Sequence, residues 1–108
     1  MKLESPEGVA NCEEILAVPG LGFAEIGPGD LSLSLGYHTI PPEPYPAEMQ
    51  ATRDRILAAC RSNGVAFLQG CTPDNVIARI DEGVRVIAGH SEASAIKGRA
   101  HQKRKLPV

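Results

Sequence analysis

The sequence predicts an α/β fold built from four βα units, half of a TIM-type (β/α)8 barrel. Three observations lead there. Strand-like apolar runs alternate with helical patterns along the chain, which implies parallel strands joined by helical crossovers. Two segments, LESPEGVA at 3–10 and GCTPDNVI at 70–77, share one grammar: strand end, hydroxyl cap, proline, acid, apolar pair. Each marks a strand entering a helix. Dividing 108 residues among four units gives roughly 27 each, near the ~31 of an eight-unit barrel of ~250 residues.

The elements follow in order. Ser5 is a helix cap, Pro6 suits the first helical position, and Glu7 suits the positive end of the dipole. Val9, Cys12 and Leu16 share a stripe, with Glu13 and Glu14 opposite, and Pro19-Gly20 ends the helix. Phe23 to Gly27 reads as a short strand that Gly27-Pro28-Gly29 breaks. Prolines 41, 42, 44 and 46 make 36–46 an extended loop. Ala47 to Asn63 is the longest helix, with Met49, Ile56, Ala59 and Cys60 facing inward and Gly64 just past its end. Arg53, Arg55 and Arg61 fall on its polar side and read as solvated charge. Val65 to Gln69 is the next strand. Thr72-Pro73-Asp74 opens a helix with Val76, Ile77 and Ile80 inward, and Gly83 stops it. Val84 to Ala88 is the last strand, and Ser91-Glu92 begins the last helix. Only three residues precede Glu4, fewer than the five or six of a typical strand. Residues 1–108 are therefore expected to form a single partial-barrel domain that begins inside an element, with an upstream half absent.

Composition narrows the function classes. Hydrophobic residues at 43% and charged residues at 22% suit an ordinary globular domain. A net charge of -2 argues against a nucleic-acid coat. Lys97, Arg99, Lys103, Arg104 and Lys105 cluster near the end, but cations there suit a helix C-terminus, with Leu106-Pro107 as a stop. No nucleic-acid partner is expected. No run reaches the ~18 apolar residues of a membrane span, and MKLESPEG lacks the apolar stretch of a signal peptide. No membrane partner is expected either. Cys12, Cys60 and Cys71 are odd in number and not spaced as metal ligands. They read as small buried thiols in a reducing, cytoplasmic compartment.

Chemistry concentrates at two carboxylates. Glu4 and Asp30 occupy the same place in consecutive units, each after a strand and before the next helix. In a parallel barrel those strand ends open on the face where active sites sit. Neighbouring strands lie ~4.8 Å apart, so the two carboxylates can share one hard divalent ion. Gly27 and Gly29 leave the backbone bare, so an anion can approach its N–H groups. The plainer reading makes Gly-Pro-Gly-Asp a tight turn with Asp30 as a cap, and Glu4 a surface carboxylate. His38, His90 and His101 read as loop or surface histidines.

The stretch ESPEGVANCEEILAVPGLGFAEIGPGDLSLSLGY at 4–37 resembles the second half of the HpcH/HpaI aldolase family, in the pyruvate/phosphoenolpyruvate barrel superfamily. RIDEGVRVIAGHSEAS at 79–94 resembles the last strand and helix of that barrel. The resemblance makes the chain the C-terminal half of a TIM barrel. It implies that Glu4 and Asp30 hold Mg²⁺ or Mn²⁺, with Co²⁺ as another candidate. It also implies that the N–H groups of Gly29 and Asp30 hold the carboxylate of a 2-oxo acid such as pyruvate. The implied reaction is class II retro-aldol C–C cleavage through a metal-bound pyruvate enolate, without a Schiff-base lysine. Lys2 stands where these aldolases often carry Gln. The Arg and the His-containing base apparatus of the family belong to its first half, so no catalytic residue is assigned here. The isolated chain is then an inactive aldolase fragment that associates with itself or with a complementary half-barrel. The alternative is a noncatalytic remnant that binds metal weakly or only pairs with another chain.

Overall fold

The computed structural model describes residues 1–89 and 91–105. Four strands, β1 (Lys2–Leu3), β2 (Phe23–Ile26), β3 (Ala66–Cys71) and β4 (Val86–Gly89), hydrogen-bond in the order β1-β2-β3-β4. β1 and β2 run parallel with Lys2 opposite Glu25 and Leu3 opposite Ile26. β3 and β4 run parallel with Leu68 opposite Val86 and Cys71 opposite Gly89. Helices separate the strands, so the alternation read from the sequence is the fold: a parallel α/β sheet. The residues gather into two compact units, Met1–Phe67 and Leu68–Val108.

In the first unit the Ser5 hydroxyl accepts the Gly8 N–H at 3.1 Å, with Pro6 at the first helical position. The expected single helix is in fact two short ones, α1 (Pro6–Ala10) and α2 (Cys12–Leu16), meeting at Asn11. After β2 the sequence reading needs correction. Gly27-Pro28-Gly29 ends the strand at Ile26, as expected, but it also starts a helix that the sequence reading missed, α3 (Pro28–Ser34), with Gly27 as N-cap and Pro28 at N1. Proline is tolerated there because its missing N–H has no intrahelical acceptor anyway. Gly36, at φ 87°, closes α3. Its N–H donates to Leu33 O at 3.0 Å, and that of Tyr37 donates to Ser32 O at 2.9 Å. This is a Schellman ending, which requires the left-handed conformation that glycine adopts without strain.

The proline-rich segment then leads to α4 (Ala47–Ser62), the longest helix, as expected. Leu3, Leu16, Ala24, Ile26, Met49, Ile56 and Phe67 form an apolar core with Cys12 and Cys60. Burial pushes the Cys60 thiol up to about 11, with a smaller contribution from neighbouring Cys12, whose own value burial also raises. Both thiols stay protonated near neutrality and pack as small apolar groups.

Arg53 corrects a second expectation. It is not solvated: it is 1% exposed, its guanidinium carbon 5.8 Å from the Phe67 ring centroid and one nitrogen 2.8 Å from Asp54 Oδ1. The aromatic face and the carboxylate together make burial of that charge tolerable. Arg55 is exposed but engaged. Its Nε and Nη2 grip the two oxygens of Glu13 at 2.8 and 2.7 Å, and Nη2 also donates to Ala10 O at 3.1 Å.

In the second unit, α5 (Val76–Glu82) ends at Gly83 and α6 (Glu92–Lys105) follows β4. β3 starts one residue and β4 two residues later than expected. Gly98 lets α6 approach α5, since a Cβ there would lie 3.1 Å from Val76 Cγ2. Among the described residues no helix is long and apolar enough to cross a membrane.

The Arg55–Glu13 grip predicts a pH dependence. The hydrogen bonds from Arg55 lower the Glu13 carboxyl from 4.5 to about 2. A depressed folded-state value means that the stabilisation is complete above the unfolded value and vanishes as pH falls from 4.5 toward about 2. Glu13→Gln should flatten the pH dependence of unfolding by urea over that window. Because the pair is exposed, high salt should flatten the wild-type curve as well.

Candidate functional site

The β1–β2 register aligns Leu3 with Ile26, so the next residues, Glu4 and Gly27, stand abreast where the strands end. An added Cβ at Gly27 would collide with Glu4 Oε2 and lie 3.0 Å from Glu4 Cδ. Gly27 is bare because the Glu4 carboxyl group lies across it. Glu4 Oε2 is buried and has no hydrogen-bond partner within the protein. A buried carboxylate oxygen without a donor is costly, and a cation ligand would relieve it.

Two serines fix this corner. Ser34 Oγ donates to the Glu4 carbonyl oxygen at 3.1 Å, tying the last turn of α3 to the end of β1. Ser32 Oγ donates to Gly29 O at 2.8 Å, bracing the first turn. The first intrahelical bond of α3 runs from Leu31 N–H to Gly27 O at 2.8 Å, which leaves the N–H groups of Gly29 and Asp30 without intrahelical acceptors. Asp30 itself is exposed in that first turn. It is therefore helical and not on a pre-helix loop, and its charge suits the helix dipole. Gly29 differs from Gly27: a Cβ there would meet only Ile40 Cδ1, at 3.6 Å. Ile40 comes from the proline-rich segment and is 58% exposed.

The Glu4 carboxyl group thus lies against Gly27, the residue that caps α3, and Asp30 follows three residues later in the first turn of that helix. The partnerless Glu4 Oε2 is a hard oxygen donor of the kind that suits a small divalent cation. Among the described residues no group of three or more His, Cys, Asp or Glu side chains is arranged to hold a metal, so the remaining ligands would be water and substrate oxygens. Lys2 is exposed and lies 3.9 Å from Glu25 Oε1. His38 is exposed in the segment after α3. His101 Nε2 lies 2.8 Å from Asp81 Oδ1, which occupies it in an α5–α6 contact. His90 lies outside the described residues. Ser32 and Ser34 went unread in the sequence. Their only signal is the alternation Leu-Ser-Leu-Ser after Asp30, which places both hydroxyls on a short helix once that helix is recognised.

With this geometry in place, comparison with known proteins assigns the class. The HpcH/HpaI aldolase/citrate lyase family pattern matches residues 1–96, and the chain belongs to that family. It is 30% identical over 103 residues to a 2-dehydro-3,6-dideoxy-6-sulfogluconate aldolase of Pseudomonas putida, covering 94% of this chain and 39% of that protein. It is 36% identical over 91 residues to a hydroxypyruvate/pyruvate aldolase of Roseobacter denitrificans, covering 82% and 34%. Its fold superimposes on an HpcH/HpaI aldolase/citrate lyase family protein of Burkholderia cenocepacia with a TM-score of 0.70 at 27% identity, covering 96% of this chain and 40% of that one. The chain thus spans well under half the length of the relatives it matches.

The two glycines should respond differently to substitution. Gly27→Ala forces the Glu4 carboxyl aside and should destabilise the chain by about 1–3 kcal/mol, the usual cost of overpacking. Gly29→Ala meets only an ordinary contact and improves helix propensity, so it should be neutral or stabilising by up to about 1 kcal/mol. Denaturant melts of both variants measure the difference. A neutral Gly27→Ala would show that the carboxyl does not lie where described.

Proposed function

We propose that this chain carries the metal- and keto-acid-binding part of a class II aldolase that cleaves a 4-hydroxy-2-oxo acid to pyruvate and an aldehyde. The observation that carries this reading is the buried, partnerless Glu4 Oε2 lying over Gly27 beside the first turn of α3. Glu4 and Asp30 would hold Mg²⁺ or Mn²⁺. When bound, the ion supplies Lewis-acid stabilisation of the negative charge that develops on the 2-oxo group. The free N–H groups of Gly29 and Asp30 would receive the substrate carboxylate. Ser34 holds Glu4 in register with α3, and Ile40 shields the open side of Gly29 from water. Nothing assigned on this chain donates or takes the proton, and no arginine is assigned to the enolate charge.

Turnover would then need the remainder of a barrel from a complementary half. Missing preorganised charge costs roughly 10²–10³ in rate, and a missing general base roughly a further 10²–10⁴. The second reading, a noncatalytic half that pairs with another chain, draws support from the sheet surface of the first unit. There Phe23 is 45% exposed, two residues before Glu25 on the same face of β2. That apolar ring would be covered by a partner.

Two measurements test these readings. Calorimetric titration with Mn²⁺ should show weak binding by the wild-type chain and about 10–100-fold weaker binding by Glu4→Gln and by Asp30→Ala. Equal binding by all three sinks the metal assignment. Pyruvate release from a 4-hydroxy-2-oxo acid should be negligible for the chain alone and appear when the N-terminal half of a family barrel is added. Binding of that half without turnover would favour the noncatalytic reading. Full activity of the monomeric chain alone would overturn both, and His38 would then be the first residue to replace.

A further inference from the structure

The second unit contains a cavity of about 310 Å³ that plays no part in the reading above. Ligand sites range from ~300 to 1,000 Å³ and combine an apolar lining with a few convergent polar groups. This cavity has that composition. Its floor is Cys71, Val76, Ile80 and Ile87, and its rim carries Arg85 and Arg99.

Three features make it a built space and not slack packing. α6 is fastened on several sides: Lys97 Nζ donates to Pro73 O at 2.7 Å, His101 meets Asp81 at 2.8 Å, and Gly98 sits tight against Val76. Arg85 is pre-positioned, since its Nη1 donates to Ile80 O and Val84 O at 3.1 and 3.3 Å. Among the described residues the lining contains two guanidinium groups and no carboxylate. The acids of α5 are engaged elsewhere, Asp81 with His101 and Glu82 with Arg79 at 2.9 Å. A cation-rimmed space with apolar side chains in its lining favours an anion with a hydrocarbon body, because a planar guanidinium fork matches a carboxylate and Val76, Ile80 and Ile87 suit a hydrocarbon chain.

We propose that this cavity binds a small organic acid, with its carboxylate between Arg85 and Arg99 and a short hydrocarbon chain against Val76, Ile80 and Ile87. Ala95 and Arg99 are exposed and mark the mouth. The site lies wholly within the second unit and does not depend on the metal-site reading.

The test uses hexanoate as the probe against the full chain. Two readouts apply: NMR shifts of the Ile80 and Ile87 methyl groups, and protection of Cys71 from alkylation by iodoacetamide. Cys71 is 9% exposed in the cavity wall, whereas Cys12 and Cys60 are fully buried and serve as internal controls. Saturable shifts and protection are expected. Arg99→Gln should weaken binding about tenfold, the effect of losing one charge-assisted hydrogen bond. Ala95→Phe, which fills the mouth without changing charge, should abolish it, and Asp30→Ala should leave it unchanged. Circular dichroism confirms that each variant is folded. Absence of saturable shifts overturns the proposal. Equal binding of hexylamine also overturns it, because the rim would then not select charge. Displacement of hexanoate by an equal concentration of inorganic phosphate overturns the role of the hydrocarbon floor.

Discussion

The candidate site depends on one close approach: the Glu4 carboxyl group against the bare Cα of Gly27. That approach is possible only because β1 and β2 are parallel and in a register that ends both strands at the same level. Parallel pairing follows from the helical crossover α1–α2. The crossover in turn is started by Ser5 and Pro6 and held by the apolar stripe of Cys12 and Leu16. The corner is thus a product of the whole first unit, down to the clamp of Arg55 on Glu13 that presses α2 against α4.

Family membership and local geometry point the same way but bear on different questions. The match over residues 1–96 places the chain in the HpcH/HpaI aldolase/citrate lyase family. It does not say what Glu4 does. That question turns on an oxygen with no donor, enclosed by protein, beside a turn whose N–H groups point out of a helix end. The chain spans about 40% of the length of its relatives, and the residues that form this corner all lie in the first unit.

Much of this was legible in the sequence, for identifiable reasons. The alternation of elements, the Ser5 cap, the α4 span and the stops at Gly64 and Gly83 are set by short-range chemistry, and all appear where the residues imply. That Glu4 and Asp30 each come after a strand was legible from the apolar runs before them. α3 was hidden because Gly-Pro-Gly gives one signal for two outcomes: it can break a strand or begin a helix, and only tertiary context decides. Arg53 was hidden for a different reason. Its burial depends on the Phe67 ring of β3, and helical periodicity cannot report a partner on another element. The role of Gly27 could not be read either, since a glycine does not announce which side chain has claimed its missing Cβ.

The hydrogen bond from Ser34 to the Glu4 carbonyl has a mechanical meaning. It joins residues 30 apart in sequence, so the path from Glu4 through α1, α2, β2 and α3 returns to its starting point as a closed linkage. In an open chain, thermal displacement of α3 would carry Asp30 away while Glu4 stayed with the sheet. In the closed linkage, a shift of the helix pulls the end of β1 in the same sense. Displacements of α3 are thereby shared with the end of β1 that carries the Glu4 carboxyl group.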